Sequence, residues 1–144
     1  MDSQIRKVLD TKGPQVEKID ASATVCAAVG LMNERTIGSV VVFDGATLAG
    51  IFTERDVLVR VVGERRDAAT VRVGEVMTRA LLTIDLSTTV EEAMAIMTAR
   101  RCRHLPVVDG DRVVGLISAG DLTRWVIRNQ ERAIIDLTDY IHHA

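Results

Sequence analysis

The most constraining feature of this sequence is an internal repeat. When the 144-residue chain is shifted by 65 positions, it pairs with itself without a gap from Ile19 onward. A fixed period is typical of proteins built from repeated structural units. One unit of about fifty residues buries too little surface to be stable alone, so the two copies are expected to pack together. The identical pairs include Ile19 and Ile84, Asp20 and Asp85, Met32 and Met97, Gly50 and Gly115, and Asp56 and Asp121.

Within each copy the spacing of apolar residues changes in the same order. A short strand precedes a helix that begins at Ser-Ala-Thr or Ser-Thr-Thr, where a hydroxyl can cap free N–H groups. Two apolar strands then flank an Asp-Gly pair, which favours a tight hairpin, and a second helix follows. The prediction is an α/β fold of two β-α-β-β-α repeats with their sheets packed together around a pseudo-two-fold axis, plus a C-terminal helix. In copy two the elements read LLTIDL, VEEAMAIMTAR, HLPVVDGDRVVGLI and AGDLTRWVIRN.

The domain organisation follows from the repeat and from the charged stretch between its copies. That stretch, GERRDAATVRVGEVM, is charged at its start and becomes apolar at its end, which indicates a linker running into a short helix. The predicted helices carry more apolar surface than one sheet face needs, and the chain end NQERAIIDLTDYIHHA is amphipathic. A homodimer is therefore expected. The predicted boundaries are 1–62 for motif one, 63–75 for the linker, 76–128 for motif two and 129–144 for the C-terminal helix.

Composition and charge argue against several classes of protein. The formal net charge of -2 and the aromatic content of 3% make nucleic-acid binding unlikely to be the function. The longest nearly uncharged run, ASATVCAAVGLM, is too short to span a bilayer, and the two cysteines lack CxxC spacing, so a cytoplasmic protein with no membrane partner is expected. GxSxG, HExxH, Walker A and GxGxxG motifs are missing from the sequence, which predicts that the protein is not an enzyme.

The phrases GIFTERDV and GLISAGDL place a hydroxyl and a carboxylate at equivalent strand-to-helix junctions. Thr53 and Ser118 can cap the following helices, and the free N–H groups there favour an anion such as phosphate. Asp56 and Asp121 stand three residues on, where each carboxylate can close a capping box or accept hydrogen bonds from ribose hydroxyls. Spacing alone leaves both interpretations open, since this pattern is a common helix start.

The second half of each copy closely resembles the cystathionine-β-synthase (CBS) domain. The resemblance is carried by RHLPVVDGDRVVGLISAGDL in copy two and, with more departures, by IGSVVVFDGATLAGIFTERD in copy one. Two such domains in tandem form a Bateman module. The resemblance implies an adenosine-containing ligand (AMP, ADP, ATP or NAD, with S-adenosylmethionine less expected) in the cleft between the copies. It also implies regulation of an unidentified partner protein rather than catalysis, disc-like dimers, and no required cofactor.

The resemblance also implies which residues bind the ligand. Arg55 stands where copy two has Gly120, so the two sites are expected to differ; Arg55 either meets a phosphate or is simply an exposed helical arginine. The run ARRCRH, from Arg100 to His104, either neutralises a phosphate or is a solvated charge run. The candidates for the first site are Val16, Ile19, Ile37, Gly38, Ser39, Thr53, Arg55 and Asp56. Those for the second site are Leu82, Thr83, Arg103, His104, Pro106, Ser118 and Asp121.

The sequence raises two further interpretations. Cys102 and His104 would share one face of a strand, and His142 and His143 lie near the chain end, but two ligands without a third do not predict a metal site. The alternative to a nucleotide sensor is a constitutive dimerisation or protein-interaction module whose ligand sites are vestigial.

Overall fold

The structure, a computed structural model, describes residues 3–13, 16–79 and 82–143. It confirms the predicted mixed α/β fold, with one three-stranded sheet in each repeat, ordered β1-β2-β3 and β4-β5-β6. The elements of the first repeat are α1 (Ile5–Lys12), β1 (Lys18–Asp20), α2 (Val25–Arg35), β2 (Ser39–Asp44), β3 (Thr47–Thr53) and α3 (Glu54–Asp56), which continues as a π-helical segment (Val57–Val62). Those of the second are α4 (Val73–Val76), β4 (Ile84–Asp85), α5 (Val90–Arg100), β5 (His104–Asp109), β6 (Arg112–Ser118) and α6 (Ala119–His143).

Both sheets have the same construction. The first strand pairs in parallel with the second, which requires the intervening helix as a crossover, and the second pairs antiparallel with the third through the Asp-Gly hairpin. Gly45 and Gly110 adopt φ of 64° and 62° in these turns, a conformation that glycine tolerates best. A register shift follows Val42 in β2 and Val107 in β5, again at equivalent positions.

The crossover helices begin where the sequence predicted. Thr24 and Thr89 accept hydrogen bonds through their hydroxyls from the N–H groups of Ala27 and Glu92, at 3.2 and 3.1 Å. These caps satisfy N–H groups that would otherwise lack partners at the helix start. Each helix buries one apolar face at helical spacing on its own sheet. The buried residues are Val25, Ala28 and Met32 in α2, and Val90, Ala93 and Met97 in α5.

The two repeats exchange their short leading helices. Ile5, Val8 and Leu9 of α1 are buried in the core of the second repeat. Conversely, residues 71–77, which include α4, pack in the core of the first repeat. The predicted linker over 63–75 is therefore not a simple connector, because Val71 and Val73 within it are core residues. Each repeat completes its hydrophobic core only with a segment from the other.

The exchange explains two of the repeated glycines. A Cβ on Gly50 would lie 2.5 Å from the carbonyl oxygen of Thr78, directly after α4. A Cβ on Gly115 would lie 2.5 Å from Cδ2 of Leu9 in α1. Both distances are below van der Waals contact, so a side chain at either position would collide with the exchanged segment. Glycine at both positions permits this close approach, which results from the packing of the exchanged segments.

The last helix is longer than predicted. A single helix runs from Ala119 to His143, across the predicted boundary between motif two and a separate C-terminal helix at 128/129. It contains no proline and no glycine after Gly120, so no residue in its interior interrupts the pattern. The strand predicted from LLTIDL contains only Ile84 and Asp85, while Leu81 lies outside the described residues. No described helix is long and apolar enough to cross a membrane.

Candidate functional site

The hydroxyl and the carboxylate of each repeated phrase close a reciprocal cap. Ser118 accepts the N–H of Asp121 at 3.0 Å through its hydroxyl, and Asp121 accepts the N–H of Ser118 at 2.8 Å. In the first repeat Thr53 and Asp56 make the same two bonds, at 3.3 and 3.0 Å. This is the capping-box geometry. The helix-cap interpretation of the phrases is correct in both copies, and it leaves open what else the carboxylates contact.

The carboxylate of Asp121 is held by two cations. Its side chain is only 9% exposed, and it forms ion pairs with Nζ of Lys12 at 2.8 Å and with a guanidinium nitrogen of Arg124 at 2.7 Å. Lys12 also donates to the carbonyl oxygen of Leu116 at 2.6 Å. Burial alone would raise the pKa of Asp121, but the hydrogen bonds from Lys12 and Ser118 outweigh it, so this pKa lies below the ordinary 3.8. Asp121 is therefore ionised at neutral pH.

The equivalent carboxylate of Asp56 has a neutral partner instead. The hydroxyl of Thr78 donates to Asp56 at 3.1 Å, and the hydroxyl of Thr53 contributes a longer bond of 3.3 Å. Nε of Arg60 lies 3.9 Å away, one helical turn on. Asp56 is buried, with a side chain 6% exposed. Its hydrogen bonds satisfy a buried carboxylate as burial requires.

The start of the hairpin lies beside each cap. In the second repeat His104 pairs with Ser118, and the carbonyl of Arg103 accepts the N–H of Ala119 at 2.8 Å. In the first repeat, likewise, buried Ser39 pairs with Thr53 and the carbonyl of Gly38 accepts the N–H of Glu54 at 3.0 Å. The hairpin start and the cap that the sequence singled out are thus brought together in both copies.

Charged groups from both repeats influence the pKa of His104. Burial lowers its pKa below the ordinary 6.5, and the charges of Lys12 and Arg103 lower it further, while the carboxylates of Asp121 and Glu54 oppose them. Glu54 belongs to the first repeat, so charges from both repeats act on His104. His104 is consequently a neutral imidazole at neutral pH, able both to donate and to accept a hydrogen bond.

The remaining candidates lie at more varied places. Ile19 and Ile37 pack against the first core, and Val16 is half-buried before β1. Pro106 is buried in β5, opposite Leu116 of β6. Arg55 is exposed in α3, and the stretch before β4 exposes Leu82 and Thr83. Several of these side chains are occupied in packing, so a ligand beside them would meet mainly backbone atoms.

Sequence reasoning missed four side chains around the carboxylates. Arg60 and Arg124 lie four and three residues after their aspartates, a helical spacing that could have revealed them. Lys12 and Thr78 are 109 and 22 residues from their aspartates. Only the exchange of α1 and α4 between the repeats brings them there, and nothing in the local pattern indicates that exchange.

A groove borders the Asp121 side of the second repeat. Its volume is about 140 Å³, and three basic side chains surround a single carboxylate. The indole N–H of Trp125 is buried beside it and has no hydrogen-bond partner among the described residues. A larger depression of about 430 Å³ lies at the first hairpin turn, away from both caps. The groove at Asp121 contains the ionic chemistry that a ligand would need. It is lined by Val8, Thr11, Lys12, Asp121, Arg124, Trp125 and Arg128.

The side chains that could ligate a metal do not form a cluster in the described part of the chain. Across residues 3–13, 16–79 and 82–142, no group of three histidine, cysteine or acidic side chains is placed to hold an ion. Cys102 is half-buried and unpaired, and the side chain of His143 lies outside the described part.

Comparison with known proteins gives a consistent result. The sequence matches the CBS domain family twice, over residues 8–63 and 73–128. The mitochondrial CBS domain-containing protein CBSX3 of Arabidopsis thaliana is 36% identical over 123 residues, 82% of this chain and 60% of that protein, less than two thirds of its length. The CBS domain-containing protein YhcV of Bacillus subtilis is 33% identical over 115 residues, 80% of this chain and 81% of that protein. A solved CBS-domain structure from Burkholderia ambifaria is 39% identical, with a TM-score of 0.85 over 89% of this chain and 96% of that one.

Proposed function

Because this chain belongs to the CBS domain family and carries two CBS domains in tandem, we propose that it is a non-catalytic regulatory module that binds an adenine nucleotide. The proposed ligands are AMP, ADP, ATP or NAD. The binding site combines the cap at Ser118 and Asp121 with the hairpin start at His104. Ligand binding is communicated to a partner protein that the sequence does not identify.

One observation supports the proposal most strongly. The nearly buried carboxylate of Asp121 forms an ion pair with the ammonium of Lys12, which comes from the other repeat. The Asp121 oxygens can accept hydrogen bonds from the two hydroxyls of a ribose if Lys12 moves away. The freed ammonium of Lys12, with Arg124 and Arg103 nearby, then supplies the positive charge that a phosphate requires. The arrangement suits a ligand that carries a ribose and a phosphate together.

The two sites differ in charge, and we propose that the more anionic ligand binds in the second repeat. Arg55 occurs only in the first phrase, and that residue taken alone would favour the first repeat for the more anionic ligand. Arg55 is exposed, however, whereas Lys12 and Arg124 lie directly on Asp121. The side-chain group nearest to the Asp56 carboxylate is the neutral hydroxyl of Thr78, at 3.1 Å. The charges nearest to the carboxylate determine which repeat binds the more anionic ligand, because electrostatic attraction weakens with distance and with exposure to water.

The exchange of α1 provides a route for regulation. Lys12 ends α1, which precedes the first repeat in sequence but packs in the core of the second. A ligand that displaces Lys12 from Asp121 removes one of the contacts through which α1 holds the second repeat. Such a ligand changes the protein only if it binds the displaced arrangement more tightly than the paired one.

Calorimetric titration of the full chain with AMP, ATP, NAD, S-adenosylmethionine and adenosine tests this function. We expect AMP or ATP to bind more tightly than adenosine, and Asp121→Asn to weaken nucleotide binding at least about tenfold, roughly 1.4 kcal/mol. Asp109→Asn, in the exposed hairpin turn of the same repeat, is the matched control and should bind like the unaltered protein. Absence of binding by all five compounds at millimolar concentration would refute the proposal.

The ion pairs of Asp121 also support the alternative, a protein-interaction module with vestigial sites. Both carboxylate oxygens already have cationic partners, so the site is electrostatically satisfied without any ligand. In that case Lys12→Met should lower the stability of the protein without creating or abolishing nucleotide affinity. The same titration, made with this variant, separates the two functions.

A further inference from the structure

The groove beside Asp121 lies between the first helix of the chain and the last one. Lys12, at the end of α1, pairs with Asp121 near the start of α6, while Ser3, before α1, contacts Asn129 further along α6. The two helices therefore run antiparallel. The groove follows α6 for about 10 Å at the helical rise of 1.5 Å per residue. The α6 residues that line it share one face of the helix, and they are Asp121, Arg124, Trp125 and Arg128.

The groove has an excess of positive charge. Three cationic side chains and one carboxylate line it, which leaves a net charge of +2. The carboxylate of Asp121 pairs with Lys12 and Arg124. Arg128 forms no ion pair with any described residue, and it lies one helical turn beyond Arg124. Positive charge thus continues along the groove past the ion pairs of Asp121, which favours an anion that extends in the same direction.

Trp125 adds a hydrogen-bond donor that lacks an acceptor. Its indole N–H is buried without a partner among the described residues, and an indole nitrogen can only donate. The equivalent residue of the first repeat is Arg60, 65 positions earlier. Its guanidinium donates to the carbonyls of Val76 and Met77, at 3.3 and 2.8 Å, where the exchanged helix α4 ends. The first repeat therefore supplies acceptors for the donor at this position.

The second repeat cannot supply the same acceptors, because its exchanged helix does not end there. Bridges from Gln4 to Thr89 and from Arg72 to Thr24 show that α1 and α4 occupy equivalent places. Helix α1 continues to Lys12, however, and its internal carbonyls are used within the helix. A buried N–H without an acceptor is uncommon in native proteins. The oxygen of an anion in the groove that Trp125 lines would provide one.

We propose that the groove between α1 and α6 binds a polyphosphate group. Lys12, Arg124 and Arg128 neutralise its charge, and a phosphate oxygen accepts the N–H of Trp125 once a neighbouring side chain moves aside. The group is either the tail of ADP or ATP with its ribose at Asp121, which rests on the function proposed above, or a free polyphosphate, which does not. One phosphate on that ribose reaches the first turn of the groove, whereas Arg128 requires a longer chain. The groove thereby selects ADP and ATP over AMP.

Fluorescence of Trp125, the one tryptophan of the chain, tests this proposal. The full chain is titrated with tripolyphosphate, inorganic phosphate, ATP, AMP and adenosine. We expect tripolyphosphate to change the emission, inorganic phosphate at the same concentration to leave it unchanged, and ATP to bind at least about tenfold more tightly than AMP. Equal affinities for AMP and ATP, without a response to tripolyphosphate, would overturn this inference and leave the nucleotide function standing. Binding of tripolyphosphate but of no adenosine compound would refute only the nucleotide function.

Three variants test the residues. Arg128→Gln should weaken the binding of ATP and of tripolyphosphate at least about tenfold, and that of AMP by less than about twofold. Arg112→Gln is the matched control, since Arg112 is exposed at the hairpin of the same repeat, and it should bind ATP like the unaltered protein. Trp125→Phe keeps a ring without the N–H and should weaken tripolyphosphate binding about threefold, measured by calorimetry. Circular dichroism checks that each variant is folded. Equal losses of AMP and ATP affinity in Arg128→Gln would contradict the proposal.

Discussion

The two repeats use different donors to satisfy an equivalent backbone carbonyl and an equivalent carboxylate. In the first, the N–H of Thr78 donates to the carbonyl of Ile51 at 2.8 Å, and its hydroxyl donates to Asp56. In the second, a single group, Nζ of Lys12, donates both to the equivalent carbonyl, of Leu116, and to Asp121. One side-chain ammonium thus replaces a backbone N–H and a hydroxyl.

The difference begins with where the exchanged helices end. Helix α4 ends at Val76, so the chain is extended at Thr78 and forms a backbone bridge to Ile51. Helix α1 continues to Lys12 and ends at Gly13, whose φ of 102° suits glycine. A backbone bridge is short and fixed, whereas a lysine side chain has four rotatable carbons and can move. The partner of the second carboxylate is therefore the one that can move without displacing the backbone.

The largest difference in stability between equivalent substitutions in the two repeats should appear when Gly50 and Gly115 are replaced by alanine. Gly50→Ala would press its Cβ against the backbone carbonyl of Thr78, whereas Gly115→Ala would press against the mobile end of the Leu9 side chain. We expect Gly50→Ala to destabilise the protein by about 3 kcal/mol and Gly115→Ala by about 1 kcal/mol. Urea unfolding of both variants measures the difference. Equal losses would mean that Leu9 is as rigid as backbone.

A smaller difference should separate the two partners of the carboxylates. Thr78→Val removes the hydroxyl that donates a hydrogen bond to the buried carboxylate of Asp56. It should lower the free energy of unfolding by about 1.5–2 kcal/mol. Lys12→Met should cost less, about 1 kcal/mol, because Lys12 is partly exposed and Arg124 still pairs with Asp121. Added salt should reduce only the effect of Lys12→Met, since screening weakens ion pairs. Unfolding at low and high ionic strength checks this, and a salt-dependent effect of Thr78→Val would contradict it.

Much of this architecture could be predicted because it is encoded locally. Threonine caps, the Asp-Gly turns and the reciprocal caps at Thr53 and Ser118 each depend on residues within a few positions of one another. The candidate site could be predicted only in part. Its caps and hairpin starts were found, but Lys12 reaches Asp121 across 109 residues of sequence. The exchange of helices that brings them together is a property of the packed core, which local spacing does not reveal.

The smallest expected difference between the repeats is in how their contribution to stability depends on pH. His104 occupies the position that Ser39 has in the first repeat, so only the second repeat titrates there near neutrality. Its pKa is lower in the folded protein than the ordinary 6.5, chiefly through burial and then through Lys12 and Arg103. The unfolded chain therefore binds the proton more readily, and protonation favours unfolding as pH falls below 6.5, while no loss occurs above it. Asp20, Asp85 and Asp121, whose pKa values are lowered, stay ionised over this range.

His104→Ser, which makes the second repeat like the first, should flatten the loss of stability between about pH 7 and pH 5. Urea unfolding at several pH values measures the slope. A slope that survives His104→Ser would mean that groups other than His104 produce it. The two repeats would then respond alike to acid, and the charge of Lys12 alone would distinguish them.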